Sequence, residues 1–295
     1  RINQGIILHF FHALCIIAIE TRKHYEVTMQ ISILTDNHSY SSDFLCEAGT
    51  SLFVKSKKHN VLIDTGQSDV FIQNAKKLGI DLQSVDICCL THGHYDHCNG
   101  LSYFLELNQR AKIYASADIF GKYYNAENKY VGIKDEIKKH KDRFVFVEEE
   151  YFVDETLHMF TGNDKIPIST VREIGYSARS NGLLEPDDFH HEMYVLVGDK
   201  QKLILSGCTH KGIGNVMHWA RFERVSAFMG GVRFGKFDPN NARDMRQAEQ
   251  LAEQLIRHNA RYCLCHCNNE ALYAFLAERL GERYTRVSAG MQLEI

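Results

Sequence analysis

Three histidines and an aspartate fall within six residues, His92-Gly93-His94-Tyr95-Asp96-His97, just after the apolar run Val85-Asp86-Ile87-Cys88-Cys89-Leu90. An apolar run this short, closed by glycine and polar residues, reads as a buried strand that ends in a loop. Leu101-Ser102-Tyr103-Phe104-Leu105 then reads as the first turns of a helix. Imidazole nitrogen and carboxylate oxygen suit a borderline divalent ion such as Zn²⁺, with bonds of roughly 2.0–2.2 Å. His92 and His94 alternate, so in extended chain they point the same way and can grip one ion. Asp96 and His97 are adjacent, so they diverge and can serve a second ion about 3.5–4 Å away, the spacing of two-metal hydrolytic sites. A lone histidine in a chain with 16 of them is ordinarily a surface or core residue. Four ligand-type residues in H-x-H-x-D-H order behind a strand point instead to a metal centre.

A chain of 295 residues with 44% hydrophobic and 24% charged residues is long enough and apolar enough for a soluble domain with a real core. The net charge of -3 gives no general reason to expect nucleic-acid binding. Nine cysteines neither pair evenly nor show the spacing of a secreted disulfide framework, which favours reduced thiols in a cytoplasmic setting. The apolar stretch 5–19 falls short of the ~20 residues that span a bilayer. It also lacks a basic n-region beyond Arg1 and a clear cleavage site. Residues 1–28 are therefore expected to be an extension outside the functional domain, with a degenerate signal or membrane-associated helix as the alternative. No stable membrane insertion is expected, and Met29-Gln30-Ile31-Ser32-Ile33-Leu34 reads as a natural first strand of a 29–295 domain.

Strand and helix patterns alternate from there. Ile31, Ile33, Leu52 and Val54 alternate with polar neighbours, and Asn60-Val61-Leu62-Ile63-Asp64 reads as a third strand. Ser68 to Leu78 reads as a helix with Phe71, Ala75 and Leu78 on one face, stopped by Gly79. Gly198-Asp199-Lys200 reads as a hairpin turn between Met193–Val197 and Lys202–Ser206. Met245, Ala248, Ala252 and Leu255 line one later helix, and Leu272, Tyr273, Leu276 and Leu280 another. The lysine- and tyrosine-bearing stretch Gly121–Asp142 reads as a solvated surface helix or as a lid over an anionic or aromatic substrate. No low-complexity linker interrupts the chain, so the expectation is an α/β layer structure in one domain.

The stretch Thr91–Gly100 resembles the signature of the metallo-β-lactamase superfamily. Thr35-Asp36-Asn37, Ile63–Ser68, Ser206–Ile213 and Phe228–Gly231 resemble, more narrowly, its branch of metal-dependent hydrolases and dihydropterin-linked aminobenzene ribofuranosyl phosphate synthases. The resemblance runs from about Met29 to the C-terminus. It implies an αββα four-layer sandwich of two similar halves, with a one- or two-metal site at one edge.

The remaining ligands are then expected at strand ends in the second half. Cys208 stands where the superfamily usually has a bridging aspartate; a thiolate there is a strong zinc ligand, and a buried structural cysteine is the alternative. His210 could replace Cys208 or bind substrate, and the helix around Asn215–Arg221 would start nearby and favour an anion. His266 stands where the family places its final metal histidine, serving the second ion with Asp96 and His97. Cys263, Cys265 and Cys267 could instead form their own thiolate site, although paired C-x-x-C spacing is absent. The third ligand of the first ion is expected to be His191, with His190, Asp187, Asp188 and Glu192 as alternatives. Asp64 resembles the family's structural aspartate and is expected to orient a histidine. Ala48 and Arg233 replace two histidines frequent in the branch, and Arg233 could hold a phosphate or carboxylate.

These readings imply a hydrolase with two zinc ions, Mn²⁺ or Fe²⁺ being alternatives, that acts on a small anionic substrate such as a phosphoester. Asp96 would orient the nucleophile as well as bind metal. The flavodiiron branch resembles H-x-E-x-D-H; His94 in the glutamate position favours zinc hydrolysis. A transferase of the ribofuranosyl phosphate synthase kind and a non-catalytic metal-binding sensor are the alternatives.

Overall fold

In the computed structural model, described for residues 29–169, 175–180, 182–234, 237–267 and 270–295, the chain forms two seven-stranded sheets laid face to face. The expected extension 1–28 lies outside the described residues. The first sheet holds β1 (Gln30–Thr35), β2 (Ser51–Lys55), β3 (Asn60–Ile63), β4 (Ile87–Leu90), β5 (Lys112–Ser116) and β7 (Phe144–Val147). β17 (Gln292–Glu294) returns from the far end of the chain to pair with β1. The second sheet holds β8 (Glu150–Asp154), β9 (Leu157–Phe160), β12 (Tyr194–Val197), β13 (Lys202–Leu205), β14 (Val225–Gly231), β15 (Arg261–Cys265) and β16 (Tyr284–Arg286). Among the described residues no helix is long and apolar enough to cross a membrane.

The two-residue period of a strand sorts side chains into separate layers. In β4, Ile87 and Cys89 face the space between the sheets while Cys88 and Leu90 face outward; in β13, Leu203 and Leu205 face in and Ile204 faces out. The outward faces are covered by helices: α1 (Val70–Lys77) and α3 (Leu101–Leu107) over the first sheet, and α4 (Ile213–Trp219), α5 (Ala242–Ile256) and α6 (Glu270–Leu280) over the second. The result is the expected αββα layering. α5 begins where the Asn241 side chain accepts from the amides of Arg243 and Asp244, and it buries Ala248, Leu251, Ala252 and Leu255.

The stretch Gly121–Asp142 does not form the surface helix. Its strand β6 (Tyr123–Tyr124) joins β10 (Ser177–Ser180) and β11 (Leu183–Pro186) in a small third sheet, and a 3₁₀ segment covers Ile137–Arg143. Tyr123 is buried while Lys122, Lys129, Lys134, Lys139 and Lys141 are exposed, so the residues divide between the interior and solvent. A sequence read for helical period alone misses this division.

Candidate metal centre

The chain leaves β1, β3, β4, β13, β14 and β15 at one edge of the sandwich, and there the two sheets bring their loops together. The first sheet supplies His92, His94, Asp96 and His97 from the loop behind β4 and the single turn α2 (Tyr95–Cys98). The second supplies Cys208, His210 and His266 from the ends of β13 and β15. His97 lies 3.3 Å from the Cys208 sulfur and, through Nε2, 3.2 Å from His266 Nε2. Asp96 Oδ2 is 3.4 Å from His266 Nε2 and 3.8 Å from His97 Nε2.

Backbone strain concentrates here. Asp64, Thr209 and His266 all adopt left-handed φ, at 54°, 56° and 62°, a region costly for residues other than glycine unless the surroundings fix it. Gly207 is held without a side chain by crowding: a Cβ there would stand 2.3 Å from Thr91 Oγ1 and 2.8 Å from Asp64 Oδ2 and His97 Nδ1.

Asp64 organises the imidazoles. Its buried carboxylate accepts from the Thr91 amide and hydroxyl, both at 2.7 Å, and meets His97 Nδ1 at 2.7 Å. A carboxylate only accepts, so His97 carries its proton on Nδ1 and turns the Nε2 lone pair toward the pocket. The Thr91 hydroxyl spends its proton on Asp64 and is left to accept from His92 Nδ1 at 3.1 Å. That fixes the His92 tautomer in the same sense. The Nε2 atoms of His92 and His94 are fully buried with no hydrogen-bond partner, an arrangement that costs free energy unless a cation meets the lone pairs. Burial together with the neighbouring imidazoles lowers the pKa of His92, His94 and His210 well below the usual imidazole range, so all three are neutral donors.

The other half of the pocket favours positive charge. Burial opposes charge on His266, but the Cys267 sulfur and the Asp96 carboxylate outweigh it and push its pKa up to about 10. Burial would likewise raise Asp96, but His97 and His266 hold it well below the usual carboxylate range. Among the described residues, five sets of three side chains each offer donor atoms within 4.8 Å of one another, including His92–His94–His210, His92–His97–Cys208 and Asp96–His97–His266. Nitrogen, oxygen and sulfur donors of this kind fit zinc-type divalent ions.

The residues around His191 occupy different settings. His191 is buried and stands with His94 and Asp187 in another donor group. Its Nδ1 accepts from the Gly93 amide at 2.9 Å and its Nε2 meets Asp187 Oδ2 at 3.2 Å, so both nitrogens are engaged within the protein. Glu192 accepts from the amides of His210 and Lys211 and from the Tyr194 hydroxyl, which anchors the loop behind β13. His190 and Asp188 are exposed. His210, by contrast, faces His92 and His94 with ring centroids 4.9 Å from each. α4 starts at Ile213, three residues beyond His210, with Gly212 at its N-cap.

Comparison with known proteins agrees with the fold. The profile of the metallo-beta-lactamase superfamily matches residues 45–168. The solved structure described as Tm1679, a metal-dependent hydrolase of the β-lactamase superfamily, superposes with a TM-score of 0.77 at 25% identity, covering 90% of this chain and 99% of that one. The chain has the metallo-β-lactamase fold. Two proteins of Methanocaldococcus jannaschii are similar in sequence. One, the 7,8-dihydropterin-6-methyl-4-(beta-D-ribofuranosyl)-aminobenzene-5'-phosphate synthase, is 25% identical over 88% of this chain and 94% of its own length. The other, uncharacterized protein MJ0448, is 28% identical over 68% of this chain and 78% of its own.

Further residues complete this edge. Asn37 receives the His266 ring through Oδ1 at 2.7 Å and donates from Nδ2 to the His266 carbonyl at 3.0 Å, which fixes that imidazole from the far end of the chain. Tyr176 stacks on His94 at 5.1 Å and Phe189 on His210 at 4.5 Å, so aromatic rings wall the first-sheet side. Arg233 donates to the Tyr176 hydroxyl at 2.6 Å and stands beside this wall. Cys267 lies 2.9 Å, sulfur to sulfur, from Cys208. Cys263 and Cys265 are packed between the sheets, so the three cysteines do not form one cluster.

Proposed function

We propose that the chain is a hydrolase that works with two divalent ions, zinc by preference, on a small anionic substrate such as a phosphoester. The observation that carries the reading is the fixed orientation of the imidazoles, whose inward nitrogens at His92 and His94 are buried without partners. His92, His94 and His210 would hold one ion, and Asp96, His97 and His266 the other. Cys208 would stand between them, since its sulfur falls into donor groups with residues of both sets. Divalent ions in such a pair supply Lewis acidity and lower the pKa of water toward about 7.

The chain's own residues do the rest. Asp64 and Asn37 hold His97 and His266 by their Nδ1 atoms, so neither imidazole needs to reorient during turnover. Asp96 keeps its carboxylate beside His97 and His266, where it would accept a hydrogen bond from an attacking water and so orient it. Arg233, already turned toward Tyr176 at the rim, offers its guanidinium fork to a phosphate or carboxylate. The neighbouring Tyr176 and Phe189 rings exclude water from that side.

The near full-length similarity to the ribofuranosyl aminobenzene phosphate synthase supports a second reading, a transferase on a phosphorylated substrate. Ala48 and Arg233, in place of two histidines frequent in that branch, favour hydrolysis. Elemental analysis of the purified full chain, paired with turnover of bis(p-nitrophenyl) phosphate and of a lactone, separates the readings. About two zinc per chain, with turnover abolished in His94→Ala, is the expected result. Iron in place of zinc would sink the hydrolytic reading, and two zinc without turnover would favour the transferase over it.

A further inference from the structure

We propose that Cys267 is a second thiolate ligand of the ion shared by Cys208 and His266, giving one half of the centre two sulfur donors; this rests on the metal-centre reading above. Three independent features place its sulfur. The first is the chain path behind β15. The Cys267 amide donates back to the Cys265 carbonyl at 2.8 Å across His266, whose φ is 62°. This is a three-residue turn with a left-handed centre, a rare and strained conformation. Its effect is to end the alternation of β15: Cys263 and Cys265 point into the space between the sheets, whereas Cys267 joins His266 at the edge.

The second feature is a space kept open for the sulfur. A Cβ on Gly231, at the end of β14, would stand 2.3 Å from Cys267 Sγ, so a side chain at 231 would displace the thiol. The third is convergence. Cys208, His266 and Cys267 each offer a donor atom within 4.8 Å of the other two, and the two sulfurs are 2.9 Å apart. Two sulfurs bonded to one zinc at about 2.3 Å in tetrahedral geometry stand about 3.7 Å apart, so the pair has only to open by somewhat less than 1 Å. Each thiol gives up its proton to solvent as its metal–sulfur bond forms. No oxidant or reductant is involved.

Two thiolates in one half of the centre select a thiophilic ion. Zinc or cadmium is favoured there over magnesium or manganese, which prefer oxygen donors. The two halves then differ in softness: three imidazoles on one side, and sulfur, imidazole and carboxylate on the other.

Cobalt(II) titrated into the metal-free full-length chain reports this directly, because each cobalt–thiolate bond adds charge-transfer absorbance in the near ultraviolet. The expected result is that Cys267→Ser loses about half of the wild-type band while cobalt per chain stays unchanged. Cys46→Ser, at an exposed position that belongs to none of these donor groups, should keep the full band. A Cys267→Ser band equal to wild type overturns the proposal and leaves the metal centre standing. Failure of the wild type to bind cobalt overturns both. The wild-type protein supplies a check independent of the variant's folding: zinc should slow alkylation of Cys267, read by peptide mass mapping, by about tenfold or more. Equal rates with and without zinc count against the thiolate.

Discussion

Asp64 reaches two imidazoles at once, His97 directly and His92 through the Thr91 hydroxyl. Asparagine at 64 keeps the size and tolerates the left-handed backbone, but it exchanges an accepting oxygen for a donating nitrogen. Asp64→Asn should therefore weaken zinc binding roughly 10- to 100-fold with an unchanged circular dichroism spectrum, measured by competition with a chromophoric chelator. Unchanged affinity would mean that the imidazoles are oriented without it. At this scale the sequence is legible where ligands are neighbours in the chain. His92, His94, Asp96 and His97 announce themselves because one loop carries them all. Asn37 does not, because its partner His266 is 229 residues away. His191 and His210 are equally hidden as a pair: both reach the edge beside His94, although 18 residues separate Glu192 from His210 in the chain.

The elements themselves were largely readable, since two-residue and 3.6-residue periods survive wherever a face is buried. β4, α1, α5 and α6 follow their apolar patterns, while Gly121–Asp142 does not, because its order comes from pairing with β10, a partner far along the chain. One contact between elements carries a pH signature. His59, in the turn between β2 and β3, meets Asp86 through Nδ1 and Asp154 through Nε2, so it links the first sheet to β8 of the second. Burial works against a charged ring, but the two carboxylates outweigh it and raise the pKa above the usual value. A group whose folded pKa is raised stabilises the protein fully below the unfolded value of about 6.5 and loses that contribution as pH rises through the folded value. The wild-type advantage over His59→Gln in urea midpoint should thus be greatest below about pH 6.5 and shrink above it. An advantage that grows toward pH 9 would contradict this account of the contact.

At the scale of the molecule, the donors come from both sheets, so an ion bound at the edge fastens one half to the other. Binding to the folded state alone stabilises by about 4 kcal/mol when free ion exceeds its dissociation constant a thousandfold. Exhaustive chelation should therefore lower the melting temperature by several degrees, and restored zinc should raise it again. A melting curve indifferent to chelator would mean that no ion spans the two sheets. The spacing of the donors also orders events in time. The first four emerge from the ribosome together, but Cys208 lies 111 residues beyond His97 and His266 lies 169 beyond it. The first sheet alone would present only His92, His94, Asp96 and His97, so the proposed centre is complete only after the second sheet has docked.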